Sequence, residues 1–537
     1  MKKKNKLLRN QKGSISMFVI VSVLFLVFVL VGIYTNYANK LKNQEEQLGK
    51  IQENYEKYHS VNEMDELYIA QLKPKDTSVA NSETTLFATN YGTIEVIWLE
   101  GTTNKVSQAP NSPANALTSN GESLIPVTFN EATSEWTQLQ TTDNQNNNWY
   151  KYSAGSQIRG EDGKLVDNRA SSWANAMTAN NSFFVWIPRY AYRITYYESE
   201  TSTTPTGYYD GWGMWKAEDG TVKYKLDDGI ETVEHNGNKY IVHPAFMDDR
   251  NKTAKDAEGN TVQLEDYARG GWDSNLTGFW VAKYEMAGTG TTLNSTYGSP
   301  SIGNQTIGKQ YTSARQATYG YTGLTGLDGN TSFMNSHMIK NSEWGAVAYL
   351  THSQYGRNGN EISINNNGET YYRGGGADKA YITNVAQSTT GNVYGVYDMS
   401  GNKSERIAAF NITDSNGFLA QSGWTTSTEL TTSSNSTKFA TKYNNITSSY
   451  SGNAIIYNYG KVGDATKEVN IGGVDVGTST TSKHNWFSDY PYLVYSDAPF
   501  FLRGGYYSRG SYAGVFYSNT ANGHVHNLYG FRVVLSQ

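Results

Sequence analysis

The chain opens on a basic leader and passes directly into an apolar run. Lys2, Lys3, Lys4, Lys6, Arg9 and Lys12 come without an acid among them, and from Met17 to Ile33 the residues are almost all Val, Leu, Phe and Ile. Extended to Tyr37, the run holds about 20 residues, enough to span a bilayer as a helix, with the basic flank cytoplasmic and the rest outside. Residues 1–36 are therefore predicted as a leader and transmembrane helix. A cleaved secretory signal is the alternative, but the run is long and no clear A-x-A site follows it. The period then changes. Leu41, Leu48, Ile51 and Tyr55 recur by threes, fours and sevens, which predicts an amphipathic helix or short coiled coil as a stalk over 37–72.

Further on the alternation shortens to the period of strands. GTIEVIWLEG (92–101) and LIPVTF (124–129) read as strands among Asn/Ser/Thr/Pro-rich loops, so 73–180 is predicted as a small β-rich spacer without chemistry of its own. FFVWIPRYAYRI (183–194) reads as a buried strand opening a large domain over 181–537. Within it NSEWGAVAYLTHSQYGRN (341–358) is predicted to carry a short helix, with Trp344, Val347 and Leu350 on one face. Leu502–Gly505 and Gly530–Leu535 are apolar strands with Gly at their tight ends, and they close a sheet built by earlier segments. The Ser/Thr/Asn-rich stretch 411–452 is predicted as a long surface insertion.

Composition narrows the class. Aromatic residues make up 13%, with 41 Tyr and 12 Trp, so there is ample core material. Charged residues are 17% and Gly numbers 52, which favours short strands and long polar loops over helices. A net charge of -5 and a pI near 6.0 argue against a nucleic-acid partner. There is no cysteine, which excludes disulfides, thiolate metal sites and cysteine nucleophiles. Zero cysteine on an exported chain fits a bacterial surface protein.

The candidate binding residues concentrate near the end. Tyr506, Tyr507, Ser508, Arg509, Ser511, Tyr512, Tyr517, Asn519, Asn522, His524, His526, Asn527 and Tyr529 fall in one short segment. Tyr offers a large amphipathic contact area at low entropy cost, and Ser, Gly and Asn offer adaptable hydrogen bonds. Arg and Tyr are the usual anchors of interfaces. Val515 and Phe516 are expected inside and the alternate Tyr positions outside. The pair His524-x-His526 is read as two lone polar side chains on a binding loop.

Five segments in order resemble the formylglycine-generating-enzyme family: FFVWIPRYAYRI, GFWVAKYEMAG (278–288), NSEWGAVAYLTHSQYGRN, GNVYGVYDMSGNKSERIAAF (391–410) and LRGGYYSRG…YGFRVVL (502–535). The resemblance implies an α+β domain of the C-type-lectin-like fold, a small twisted sheet wrapped in long loops. Catalytic members bind copper through two cysteines in the last segment. Aligned on Gly504-Gly505, those places fall on Arg509 and Gly514, so no copper is expected and the chain is read as a non-enzyme. A branch that uses iron held by histidines is also unlike this chain, whose eight His include no H-x3-H pair. The resemblance further implies a structural calcium, with side-chain oxygens from Asp398 and Glu405 and backbone carbonyls from Gly401 and Lys403. Ser404 and Arg406 stand where the family usually has aromatics.

Some lectin-fold proteins with this ending are diversified by retroelements that randomise adenines, typically at Asn codons. Such codons cannot reach Lys, Glu, Gln, Met or Trp, and none of these occurs between Phe500 and Leu535. The N-terminus, with Lys12-Gly13 before the apolar run, is similar to type IV pilin-like proteins, though Phe18 stands where a pilin has Glu. The expected function is a surface-displayed adhesin or receptor for a protein or glycan on another cell or phage. A minor pilin carrying the same module is the alternative, and a sulfatase-modifying oxidase comes third.

Overall fold

A computed structural model describes residues 92–537 apart from several interior stretches, of which 210–230, 425–436, 448–459 and 472–483 are the longest. These residues belong to one compact unit, Ser78–Gln537. The leader, apolar run and stalk expected over 1–72 lie outside the described residues. Among the described residues no helix is long and apolar enough to cross a membrane.

The fold is rich in β-structure, with few helices, in keeping with the composition. Three sheets carry it. The first runs in the order Thr232–His235, Asn238–Val242, Tyr190–Tyr197, Gly92–Leu99, Val106–Ser107, with Pro205–Tyr209 also on Tyr190–Tyr197. The second has seven strands in the order His337–Met338, Val533–Leu535, Gly278–Ala282, Phe183–Pro188, Asn175–Met177, Ile125–Asn130, Glu135–Gln138. The third joins Thr441–Tyr443, Ser404–Asn411, Phe500–Gly504 and Gly514–Ala521, with Tyr529–Phe531 parallel to Ser404–Arg406.

The strand expected over 183–194 is two strands. Phe183–Pro188 lies in the second sheet and Tyr190–Tyr197 in the first, divided at Pro188-Arg189. Pro188 ends one ladder because it has no N–H to give. Arg189, fully buried, donates from Nη1 to the Phe246 carbonyl at 3.0 Å. The expected boundary at 180 falls between paired strands: Asn175–Met177 is hydrogen-bonded to Phe183–Val185, and Gly92–Trp98 to Tyr190–Tyr196. Gly92–Leu99, Val106–Ser107, Ile125–Asn130, Glu135–Gln138 and Asn175–Met177 of the expected spacer thus lie in the same two sheets as strands of the module.

Asn341–His352 is the expected helix, and all twelve residues are buried rather than one face. Glu343 starts it by accepting the Lys340 N–H at 2.9 Å, the Glu half of a capping box. The Trp344 indole donates to the Val515 carbonyl at 2.8 Å and so ties this helix to the strand bearing the C-terminal loop. The low-complexity stretch is less external than expected. Trp424 is buried and stacks on Phe500, and Thr441–Tyr443 pairs in parallel with Ala409–Asn411. Burying an indole removes a large apolar area from water, which anchors the chain at Trp424.

Candidate functional site

The C-terminal segment is held from below by buried charge. The chain leaves the third sheet at Phe531 and enters the second at Val533. Arg532, between them, is fully buried. Its Nε donates to both Glu405 oxygens at 3.0 and 2.8 Å, and Nη2 also reaches this carboxylate. Nη1 donates to the Ala282 carbonyl and Nη2 to that of Tyr397, each at 2.9 Å. One side chain therefore joins three segments, its own, the one bearing Ala282 and the one bearing Tyr397 and Glu405. Burial raises the Glu405 carboxyl to about 7, against the opposing pull of Arg532. At the other end of the segment Arg503 Nη2 donates to the carbonyls of Asp464 (2.9 Å) and Ala465 (3.1 Å). Gly504 and Gly505 follow with φ of +77° and +71°, a left-handed pair that turns the chain out of the sheet.

The residues expected to hold calcium lie within this frame. Calcium needs six to eight oxygen ligands. Both Glu405 oxygens are occupied by the Arg532 guanidinium. Asp398 Oδ1 accepts from Asn365 Nδ2 (2.8 Å) and from the Gly374 N–H (3.0 Å), while Oδ2 accepts the Glu285 N–H at 3.4 Å. Gly401, at φ +83°, donates its N–H to the Gly504 carbonyl at 3.2 Å. Lys403 gives its N–H to Glu285 Oε1 at 3.1 Å, and its Nζ lies 3.3 Å from the Tyr371 ring centroid and donates to the Asn527 carbonyl. Burial lowers that amine to about 8. Among the described residues no three His, Asp or Glu side chains group so as to hold a metal ion. Of the four expected ligands, Glu405 has both carboxylate oxygens engaged by the Arg532 guanidinium.

On this frame stands a surface rich in tyrosine. Tyr507 is pinned through its N–H to the Asn402 carbonyl at 3.0 Å, and its ring meets Tyr506 (6.0 Å) and Tyr371 (5.7 Å) edge-on. Its hydroxyl reaches Glu369 Oε1 at 3.3 Å. The Arg509 guanidinium covers the Tyr506 ring at 4.7 Å, and its charge also acts on Tyr490, Tyr517 and Tyr529. Ser508 and Ser511 are exposed. Tyr512, 47% exposed, leans edge-on against Tyr490 at 6.3 Å. The Tyr529 ring stacks on His526 at 4.1 Å, and its carbonyl accepts from Gln310 Nε2 at 3.0 Å.

The remaining expected residues divide. Val515 and Phe516 are buried as expected. Tyr517 was expected outside, yet it is only 1% exposed. Its strand carries polar neighbours, but Tyr490 packs over it at 6.2 Å, so both faces of Gly514–Ser518 are covered. Tyr517 acts from within by accepting from Asn519 Nδ2 at 2.8 Å. Asn522 caps the turn at His524, whose N–H it accepts at 3.2 Å. His524 turns to Gln421 (3.3 Å) and Phe418 (5.5 Å), whereas His526 stacks on Tyr529, so the two histidines do not work as a pair. Asn527 is exposed.

Tyr371, Glu369, Tyr490 and Tyr492 belong to the same surface and were missed, although GETYYRGGG (368–376) repeats its Tyr/Gly signature and DYPYLVY (489–495) its density of Tyr. No protein-family model matches the chain, and no curated protein matches it.

Proposed function

We propose that this protein is displayed at a cell surface and binds a protein or glycan through the face built on Tyr506–Tyr529, without transforming it. One observation carries the reading. Among the described residues, the two large apolar side chains left exposed are Tyr512 (47%) and Val525 (58%), and both lie in this segment. A frame in which buried Arg532 is bonded to Glu405 and two carbonyls, beneath a half-exposed aromatic surface, suits recognition, because the anchors are ordered before the partner arrives.

The fold is read as C-type-lectin-like, in its formylglycine-generating-enzyme variant. The support is that segments carrying the resemblance meet in space: Arg532 bonds Ala282, Tyr397 and Glu405, and Trp344 bonds Val515. Arg509 and Gly514 in place of the family's cysteines favour binding over oxidation. Retroelement diversification of the loop rests on its residue types alone. A reverse transcriptase beside the gene, with a near-copy of the gene's 3′ end differing at adenines, tests it. The basic leader and apolar run supply the anchor. Lys12-Gly13 favours a minor pilin as second reading, which N-terminal sequencing of the mature protein decides.

The binding proposal is tested on arrays of glycans and bacterial or phage surface proteins, probed with the full chain and with a Tyr507→Ala/Arg509→Ala/Tyr512→Ala variant. Specific signals should fall at least about tenfold in the variant. Signals equal in both proteins would refute it.

A further inference from the structure

Among the described residues the seven-stranded sheet ends on the strand Glu135–Gln138, and an open cleft of about 300 Å³ lies against it. That volume is at the lower end of small-ligand sites. Its walls are Trp136, Phe183 and Tyr297, and polar groups from Glu135, Asn181 and Thr296 surround them. None of these residues belongs to the C-terminal loop.

The rings are fixed by the sheet. Register places Trp136 opposite Phe129 and Phe183 opposite Met177. Trp136 meets Phe183 at 5.5 Å and is braced by Phe129 (5.4 Å) and Tyr394 (5.6 Å). Phe183 meets Tyr297 at 6.0 Å. The polar groups come from loops beside the rings. Asn181 sits at φ +61° in a tight turn with its side chain exposed. The Glu135 carboxylate is exposed and paired with Lys379.

Charge selects the ligand class. Lys379 cancels Glu135, so the cleft has no net formal charge to offer. The Trp136 ring already has the Lys283 amino group 4.9 Å from its centroid, and a ligand cation would compete with both lysines. An anion would face Glu135. What remains is a neutral molecule with an apolar face for the rings and several hydroxyls for a carboxylate, an amide and a hydroxyl. A pyranose has both.

We propose that this cleft is a second binding site, one that takes a neutral saccharide. It does not rest on the reading of the C-terminal loops. The test uses the full chain in a detergent without a sugar headgroup, titrated with methyl glycosides of glucose, galactose, mannose and N-acetylglucosamine. Binding is followed by tryptophan fluorescence and saturation-transfer NMR. At least one glycoside should bind saturably. Glu135→Gln and Asn181→Ala, both at exposed side chains, should each weaken it about fivefold, the worth of one hydrogen bond. Tyr507→Ala/Arg509→Ala should leave it unchanged. The proposal is overturned if no glycoside saturates, if binding survives both cleft substitutions, or if the loop variant abolishes it. Preferential binding of tetramethylammonium would equally overturn it, since the charge argument would then be wrong.

Discussion

Arg532 and Arg509 lie 23 positions apart in one short segment and face opposite physical problems. Arg532 is sealed from water and gives its donors to one carboxylate and two carbonyls. Arg509 is half-exposed and lies over a tyrosine ring. The first is costly to disturb, because removing one partner of a buried pair strands the other. The second is open to exchange, because its contacts are made partly in solvent. The same contrast runs through the tyrosines, with Tyr517 inside and Tyr512 outside. Stability and recognition are thus assigned to different residues of one segment, and substitutions should separate them.

The largest effect is expected at the frame. Arg532→Ala leaves Glu405 buried without its cation and should cost about 3–5 kcal/mol in denaturant unfolding. Next comes a pH effect. Burial, with the Asp464 charge second, raises the Glu468 carboxyl to about 7. A carboxyl whose folded pKa lies above its unfolded value gives stability that is whole below about pH 4.5 and is lost as pH rises through about 7. Over that window this one group should cost at most about 3 kcal/mol. Glu468→Gln should flatten the corresponding part of the stability–pH curve. A smaller loss is expected for Gly514→Ala, since a Cβ there would lie 2.1 Å from Asp489 Oδ1. Overpacking of this kind should cost about 1–3 kcal/mol. The smallest effect is none: chelation of calcium should leave the melting temperature in place, because Arg532 already neutralises Glu405.

Much of the frame was legible beforehand. Alternation and Gly placement pointed to strands over 92–101, 183–194, 502–505 and 530–535 and to a short helix within 341–358, and the structure has strands at 92–99, 183–188, 500–504 and 533–535 and a helix at 341–352. The division at Arg189 was not legible, because an unbroken apolar run carries no mark of which sheet each half joins. Tyr517 was misplaced for a related reason. Period two says that neighbours point apart, but not that Tyr490, a distant residue, covers the second face. Arg532 hides behind the same limit: an Arg between apolar residues reads as an exposed interruption until Glu405 is brought to it from 127 positions away. The site was half legible. The Tyr/Ser/Asn run announced a surface, whereas Tyr371, Glu369 and Tyr490 reach it through the fold alone.

The most direct test pairs two measurements on one variant, Arg509→Ala/Tyr512→Ala in the full chain. A thermal melt is taken beside a binding isotherm for the strongest ligand found on the arrays. The account predicts an unchanged melting temperature together with affinity lower by about tenfold or more. Unchanged affinity at an unchanged melting temperature would contradict it, and so would a variant that loses its fold.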